Sequence, residues 1–507
     1  MKTKLFFLFS LMLWVGQSFA QIDPVLDRVL HFEQFVKSLQ YRQPNVATIR
    51  LDSVSYKYFN DANNTYDLNS INTFIYDNNN FNIENINKTW SSNTNSLYVS
   101  GKSLHTYTSS GQIASSTFYD FDSNSNLIYP TIKNIYNYNN SGQLIEYITQ
   151  TYDVNTSQFI NYTKEVYTYA QSSDPKPNNI VIYQWDAVSA TWIEDHRASI
   201  VYNSNFQFTN ILVEVKDSST NTWVNIRKFI RYYDSSMHLT EQIEQTWQNN
   251  TWQNDKKIAF SYLSFGNYDE VIRDSFNWDD TNNVWALVKK KKLRVDANNR
   301  ILQTETFYWD TINNVLTGGR KTVYVYNTNF IELDYYDWDT QAQDWMNDFF
   351  SKEILTYNMN VTKNDLILPL SYSYNSMVND LFNTEIRSLD IFEHQLLQVE
   401  RFSRILVSDP WVPFYKETYL YTDTTAAIDN EQQIMAKVFP NPFKDYLQFE
   451  LDTDDYNLNI YHLDGRLLYQ KNHNVKDQIN LSSLPKGVYI YKLTTAKGLS
   501  TGQIIKK

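Results

Sequence analysis

The sequence predicts an all-β protein: a long repetitive antiparallel β-hairpin meander, with repeats of about 31 residues, followed by a small C-terminal β-sandwich domain. Three observations carry this. The 507 residues include 39 Tyr, 29 Phe and 13 Trp beside abundant Asn, Thr and Ser; aromatic and β-branched residues favour strands, while Asn, Asp and Gly punctuate turns. A strand-ending aromatic recurs at Tyr76, Tyr107, Tyr138, Tyr169, Tyr202, Tyr233, Tyr262, Tyr326 and Tyr357, with Val295 in the same series, at separations of 31, 31, 31, 33, 31, 29, 33, 31 and 31. Every interval is odd, so length changes come as pairs of residues. A pair preserves the face each strand side chain occupies, whereas a single residue would invert everything downstream.

In chain order, residues 1–20 have the layout of a secretory signal peptide. Lys2 and Lys4 precede an apolar run from Leu5 to Val15, and Ser18-Phe19-Ala20 places small residues at the two cleavage positions. The run is short for a bilayer span, so no transmembrane segment is expected in the mature chain. Residues 21–59 read as an N-terminal cap. There Asp23-Pro24 and then Leu26, Val29, Leu30, Val36 and Leu39 suit a short helix with Pro in its first turn.

Residues 60–360 read as the hairpin repeats. One turn of each unit resembles Tyr138-Asn139-Asn140-Ser141-Gly142-Gln143-Leu144, where a glycine can take positive φ. The other follows a second series, Trp90, Phe121, Tyr152, Trp185, Lys216, Trp247, Trp278, Trp309 and Trp338, usually with an aromatic or large apolar partner seven positions on, as in Trp278-Asp279-Asp280-Thr281-Asn282-Asn283-Val284-Trp285. Asp and Asn there can cap the turn's own backbone. With strands of roughly ten residues, about 33 Å long, some twenty strands give a sheet on the order of 100 Å wide, which should twist strongly, coil or break into layers. An odd period also requires one odd-length loop or one bulge per unit if equivalent residues keep their face, and the two turns are the expected places.

Two rows recur at fixed repeat positions. Lys102, Lys133, Lys164, Arg197, Lys228, Lys257, Lys290 and Lys321, with Lys352 slightly displaced, form a basic row; Glu84, Glu146, Glu241, Glu270 and Asp334 form an acidic one. Such ladders suit a solvated face that discourages pairing with other molecules, the alternative being a polyanion-binding stripe. The aromatic rows suit core stacking, the alternative being platforms for sugars or peptides. Neither parity of Leu144-Ile145-Glu146-Tyr147-Ile148-Thr149 is cleanly apolar, which predicts two half-buried faces.

Residues 361–421 read as degenerate repeats and a C-terminal cap, where Trp411, Lys416, Tyr419 and Tyr421 restore the phase. Units such as Tyr136-Asn137-Tyr138-Asn139-Asn140-Ser141-Gly142-Gln143-Leu144 loosely resemble the YD/RHS-type repeats of bacterial surface and toxin proteins, without their regular Asp-x-x-Gly turn and with a longer period. Residues 422–437 read as a linker.

Residues 438–507 carry a different pattern. Val438-Phe439-Pro440-Asn441-Pro442-Phe443 is followed by turns at Asp464-Gly465, Pro485-Lys486-Gly487 and Lys497-Gly498, and by Ile504-Ile505-Lys506-Lys507 at the end. These motifs closely resemble, in order, the type A C-terminal sorting domain of the type IX secretion system of Bacteroidota. The resemblance implies passage through the outer membrane by that machinery and a secreted or cell-surface location; it does not decide the cargo's activity.

The remaining chemistry is sparse. The chain has no cysteine, which excludes disulfides, thiol nucleophiles and a lipidated cysteine. The formal charge of −12 argues against nucleic acid as a partner. His31, His105, His196, His238, His394, His462 and His473 show no metal-ligand spacing, and there is no nucleophile elbow or phosphate loop. Asp279-Asp280-Thr281-Asn282-Asn283 has side chains suited to calcium without an EF-hand pattern. No catalytic, cofactor or metal residue is assigned, and no cofactor. The expected function is a secreted or cell-surface repeat protein acting in binding, adhesion or as a scaffold, with glycans or surface and matrix proteins as partners. The alternative is a secreted polysaccharide hydrolase whose carboxylates converge from different repeats.

Overall fold

The computed structural model describes residues 48–122, 127–369, 394–424, 436–451, 455–462, 467–474, 477–495 and 498–507. The residues expected to form a signal peptide and an N-terminal helix, most of those expected as a linker, and the expected Asp464-Gly465 turn lie outside them. Two units are present, 1–422 and 423–507.

In the first unit the repeats form β1 (Ile49–Asn60), β2 (Thr65–Tyr76), β3 (Asn82–Ser91), β4 (Ser96–Tyr107), β5 (Ile113–Asp122), β6 (Leu127–Tyr138), β7 (Leu144–Asp153) and β8 (Gln158–Thr168). They continue as β9 (Asn179–Asp186), β10 (Thr191–Tyr202), β11 (Phe208–Asp217), β12 (Thr222–Tyr233), β13 (Leu239–Gln248), β14 (Thr251–Ser264), β15 (Asp269–Asp279) and β16 (Val284–Val295). Then come β17 (Ile301–Asp310), β18 (Val315–Tyr326), β19 (Phe330–Tyr336), a separate small hairpin of β20 (Trp338–Asp339) and β21 (Asp344–Trp345), β22 (Ser351–Thr362), β23 (Leu366–Ile367), β24 (His394–Ser403) and β25 (Val412–Asp423).

Each strand pairs with its neighbour in sequence, β19 passing to β22 and β22 to β24, and β25 pairs with β1. The meander therefore closes into one large barrel. It is a single sheet of 23 strands, among which the two-residue β23 only adds a short parallel pairing to β1, Ile49 to Leu366 and Arg50 to Ile367. Twisting, coiling and layering were the expected outcomes for so wide a sheet; the pairing of β25 with β1 closes it instead, so that its two end strands do not remain open edges.

The odd period has a specific origin. Asn137 faces Glu146 but Tyr138 faces Leu144, so a bulge adjoins the five-residue loop 139–143. These two odd contributions cancel. A further bulge lies within the hairpins that end in tryptophan-type turns, as where Phe118 faces Ile132 but Tyr119 faces Pro130, the β19–β22 pairing being without one, and it makes the period odd. This third device sits mid-strand, away from the turns where sequence parity pointed.

Length changes are confined to turns. Gln248 pairs with Thr251 around Asn249 and Asn250, both at positive φ, 51° and 62°, the geometry of a tight two-residue hairpin. Asp279 and Val284 instead enclose four residues, and this difference of two accounts for the 29-residue interval. The glycine-type turns share one design. Asn139 Oδ1 accepts the amides of Ser141 and Gln143, Asp234 Oδ1 those of Ser236 and His238, and Asp296 Oδ1 those of Asn298 and Arg300. The fourth residue has positive φ, and it is Gly142, Met237 and Asn299 respectively.

The two faces of the sheet differ along the strand. Near the glycine-type turns one face is packed, with Ile113, Leu144, Ile180, Ile211, Leu293 and Leu396 buried, while Val201, Tyr232 and Leu420 on the opposite face are about half exposed. Near the other turns the relation reverses, since Ile193 and Tyr308 of the first face are about half exposed. The two half-buried faces expected from sequence are thus one face buried at each end. On the first face the phase tyrosines reach across to a carbonyl at or just before the start of the preceding strand, 25 residues back: Tyr107 to Asn82 O, Tyr138 to Ile113 O, Tyr169 to Leu144 O, Tyr202 to Pro177 O, Tyr233 to Phe208 O and Tyr326 to Ile301 O, at 2.6–3.0 Å.

The C-terminal unit contains β26 (Lys437–Phe439), β27 (Tyr446–Glu450), β28 (Asp455–His462), β29 (Leu467–Asn474), β30 (Ile479–Asn480), β31 (Gly487–Thr495) and β32 (Gly498–Lys506). They make a three-stranded sheet, β26-β27-β30, and a four-stranded one, β29-β28-β31-β32, consistent with the expected sandwich. Phe443, Leu447, Phe449, Leu458, Leu493 and Ile504 form its core. In the lysine tail, Lys506 is buried and its ammonium donates to Leu481 O and Ser482 O at 2.6 and 2.9 Å.

Candidate functional site

Strand alternation and register put the whole basic row on the face opposite the phase tyrosines, near the middle of the strands. Lys102 pairs with Glu84 at 3.4 Å, Lys257 with Glu241 at 3.7 Å, Lys290 with Asp274 at 2.7 Å and Lys352 with Glu332 at 3.0 Å. Arg197 meets Glu214 at 2.6 Å. The acidic row therefore partners the basic row only in part. Glu270 instead binds Arg294 at 2.7 Å, and Glu146 accepts from Asn137 Nδ2 at 2.6 Å.

The basic row also lies on the aromatic row. Lys102 Nζ stands 4.9 Å from the Tyr119 ring centre, Lys164 4.6 Å from Tyr183 and 5.2 Å from Trp192, Lys257 4.9 Å from Phe276, Lys321 4.8 Å from Tyr336 and Lys352 4.9 Å from Trp411. The rings pair edge to face across each hairpin: Trp185 with Trp192, Trp247 with Trp252, Trp278 with Trp285 and Trp338 with Trp345, at 4.9–5.1 Å. Both contacts are favourable geometries, each worth about 0.5–1.5 kcal/mol. Gly318 makes room for the Trp338 ring of the small β20–β21 hairpin, because a Cβ there would lie 2.1 Å from it.

The row continues across the closure of the barrel. Lys416 pairs with Glu400 at 3.4 Å and lies 5.7 Å from the Tyr66 ring, whose hydroxyl donates to Glu400 at 3.3 Å. On the other face, Tyr56 stacks on Tyr415 at 5.3 Å. Thr422 also donates to Asp52.

Carboxylates gather in the last units, where the repeat degenerates. Glu353 is buried; it accepts from Tyr335 and Tyr415, each at 2.9 Å, and faces Arg401 at 3.7 Å. Burial pushes the Glu417 carboxyl up, and Tyr419 donates to it at 2.7 Å. Burial, then the adjacent Glu332 carboxylate, push Asp334 up to about 7. Glu332, Glu353 and Glu417 belong to neither row, so the recurrence that exposed the rows gave no signal for them; only Asp334 stood in a row.

In the 279–283 loop, Asp279 Oδ1 accepts the amides of Thr281 and Asn282 and Oδ2 accepts Asn282 Nδ2 at 2.7 Å, which hold its carboxyl below the usual range. The carboxylate is engaged in shaping the turn, as are Asp217 and Asp310 at equivalent loops. His105 lies among Ser103, Ser116 and Asn85 at 3.0, 2.9 and 3.3 Å, whereas His196 and His238 sit by Asp195 and Asp234. Among the described residues no three His, Asp or Glu side chains converge as metal ligands, and no helix is long and apolar enough to cross a membrane.

Residues 437–507 match the family described as the secretion system C-terminal sorting domain. No curated protein matches the sequence. Among solved structures, the chain is similar to a protein of unknown function from Bacteroides fragilis, 14% identical over 25% of this chain and 91% of that one, with a TM-score of 0.22. It is also similar to a porin-like protein from Bacteroides uniformis, 8% identical over 73% of this chain and 98% of that one, again with a TM-score of 0.22. Neither likeness is close enough to carry an argument. The sorting domain makes this an exported protein, secreted or held at the cell surface.

Proposed function

We propose that the barrel is a binding or structural scaffold outside the cell, offering an extended repetitive surface to glycan or matrix-protein partners. The observation that carries this is the recurrent employment of the repeat's polar side chains: most cations of the row laid on aromatic rings, aspartates folded into their own turns, and tyrosines tied to carbonyls. An array built this way provides area without needing one special pocket. The acids that break the pattern support this reading too, since Glu353 is held by two tyrosines and an arginine.

The test is retention of the full-length chain on arrays of glycans and matrix proteins, with a hydrolysis assay on each ligand bound. Retention without turnover is expected. Turnover that disappears in Asp334→Asn or Glu353→Gln would overturn the scaffold reading in favour of the hydrolase alternative, and silence on every array would remove the binding role and leave a structural one.

A further inference from the structure

We infer that the stretch of the basic row on β6, β8, β10 and β12 binds an acidic polysaccharide whose carboxylates or sulfates recur on alternate sugars. This rests on the scaffold reading above and names its ligand class. Elsewhere most of the row is neutralised by carboxylates, as at Lys102, Lys257, Lys290 and Lys352, while Lys321 lies on the Tyr336 ring. Glu84 stands 18 residues before Lys102, but the corresponding positions before Lys133, Arg197 and Lys228 hold Ser115, Asn179 and Asn210. Glu146, the matching acid for Lys164, is turned to Asn137.

Among the described residues Lys133, Lys164 and Lys228 have no ion-pair partner, while Arg197 keeps Glu214 and Lys216 keeps Glu194. Lys133 lies 5.9 Å from the Phe159 ring, Lys164 over Tyr183 and Trp192, and Arg197 4.6 Å from Trp223. These cations are half-buried rather than covered. They stand on alternate strands, about 9.6 Å apart, so the four span about 29 Å.

A pyranose advances a polysaccharide by about one strand spacing, so anions on alternate sugars meet successive cations while the half-buried rings offer apolar surface to sugar C–H faces. Selectivity for a linear polymer follows from the even spacing. In a chain of net charge −12, a local excess of cations on one face is the complementary feature such a polyanion needs.

The experiment measures binding of hyaluronan fragments, sulfated chondroitin, neutral dextran and single-stranded DNA to the full-length chain at low and high salt. Comparison is with Lys133→Gln/Lys164→Gln/Lys228→Gln and with the paired-row control Lys102→Gln/Lys290→Gln. Expected are salt-sensitive binding of the two acidic polysaccharides, no dextran binding, at least tenfold loss in the triple variant and near-parental affinity in the control. Rescue by the corresponding three lysine-to-arginine changes shows that charge, not fold, was lost. Equal affinity for DNA, or an unaffected triple variant, overturns the proposal. Retention on neutral glycans or matrix proteins with no acidic polymer bound would refute this ligand class while leaving the scaffold reading intact.

Discussion

Position 105 carries a histidine where the equivalent positions of the next two units carry the buried Tyr136 and Tyr167. Burial lowers the His105 pKa to about 4, so the native imidazole stays neutral while the unfolded chain takes a proton below about 6.5. Stability is expected to fall as pH drops from about 6.5 to 4, by up to roughly 3 kcal/mol at this site, and to change no further from it below that. His105→Gln should flatten this part of the profile relative to the parent, as read from urea midpoints at pH 7 and pH 5. Met237 offers a second residue-level test, since it holds φ 63° in a turn where Gly142 has φ 78°. An L side chain in that region costs about 1–2 kcal/mol, and Met237→Gly should recover about 1 kcal/mol net of glycine's added unfolded-state entropy, seen as a raised denaturation midpoint. The glycine of the turn was legible in the sequence at Gly142; its replacement by methionine was not, because the Asp234 side chain holds the loop through backbone amides whatever residue follows.

Within an element, the tyrosine that marked the period serves as a tie. Tyr138→Phe removes the hydroxyl bonded to Ile113 O and should cost about 1 kcal/mol, with faster amide exchange confined to β5–β7. Parity makes a sharper prediction. Replacing residues 280–283 by Asn-Gly copies the two-residue turn at 249–250 and keeps every side chain on its face, so the melting temperature should move little. Deleting Lys292 alone, which faces Ile272 in the regular part of the ladder, should abolish the cooperative transition, because one residue reverses inside and outside for the rest of the hairpin, whereas deleting Val288, the unpaired residue of the mid-strand bulge, leaves Leu287 and Lys289 on their own faces. Much of this level was written in the chain: the interval series located the turns, and odd spacing required a bulge or odd loop. The position of the mid-strand bulge was marked unevenly: Pro130 adjoins it at Thr131 and Gly319 occupies it in β18, but nothing marks Val288, and the register emerges only when both strands are paired. Of the candidate surface, the basic row was visible as a recurrence, but its ring partners lie 15 residues or more away along the chain, as from Lys321 to Tyr336 and Lys352 to Trp411, and only pairing brings them together.

For the whole molecule, closure was the feature sequence could not supply. Repeats report nearest neighbours, and the contacts that join β25 to β1 belong to the degenerate last units, where the period gives no guide. Glu353 draws the last strands together, binding Tyr335 of β19, Tyr415 of β25 and facing Arg401 of β24. Glu353→Ala leaves two buried hydroxyls without their acceptor and should cost about 3 kcal/mol. The opened edges should then pair between molecules, raising the dimer fraction in concentration-dependent size-exclusion chromatography while a Glu84→Ala control stays monomeric.

The pairing of β25 with β1 also imposes a schedule. Strands laid down from the amino terminus find their neighbours at once, through hairpins of short contour, but β1 has only one neighbour until the last unit has been made and carried round to it. For that interval it is a bare template, and the entropy of bringing in so distant a partner is met only at the end. The ring is therefore finished by its most irregular members, Tyr56 on Tyr415 and Lys416 on Tyr66, and a chain cut short before β25 would leave two unsatisfied edges instead of a smaller ring.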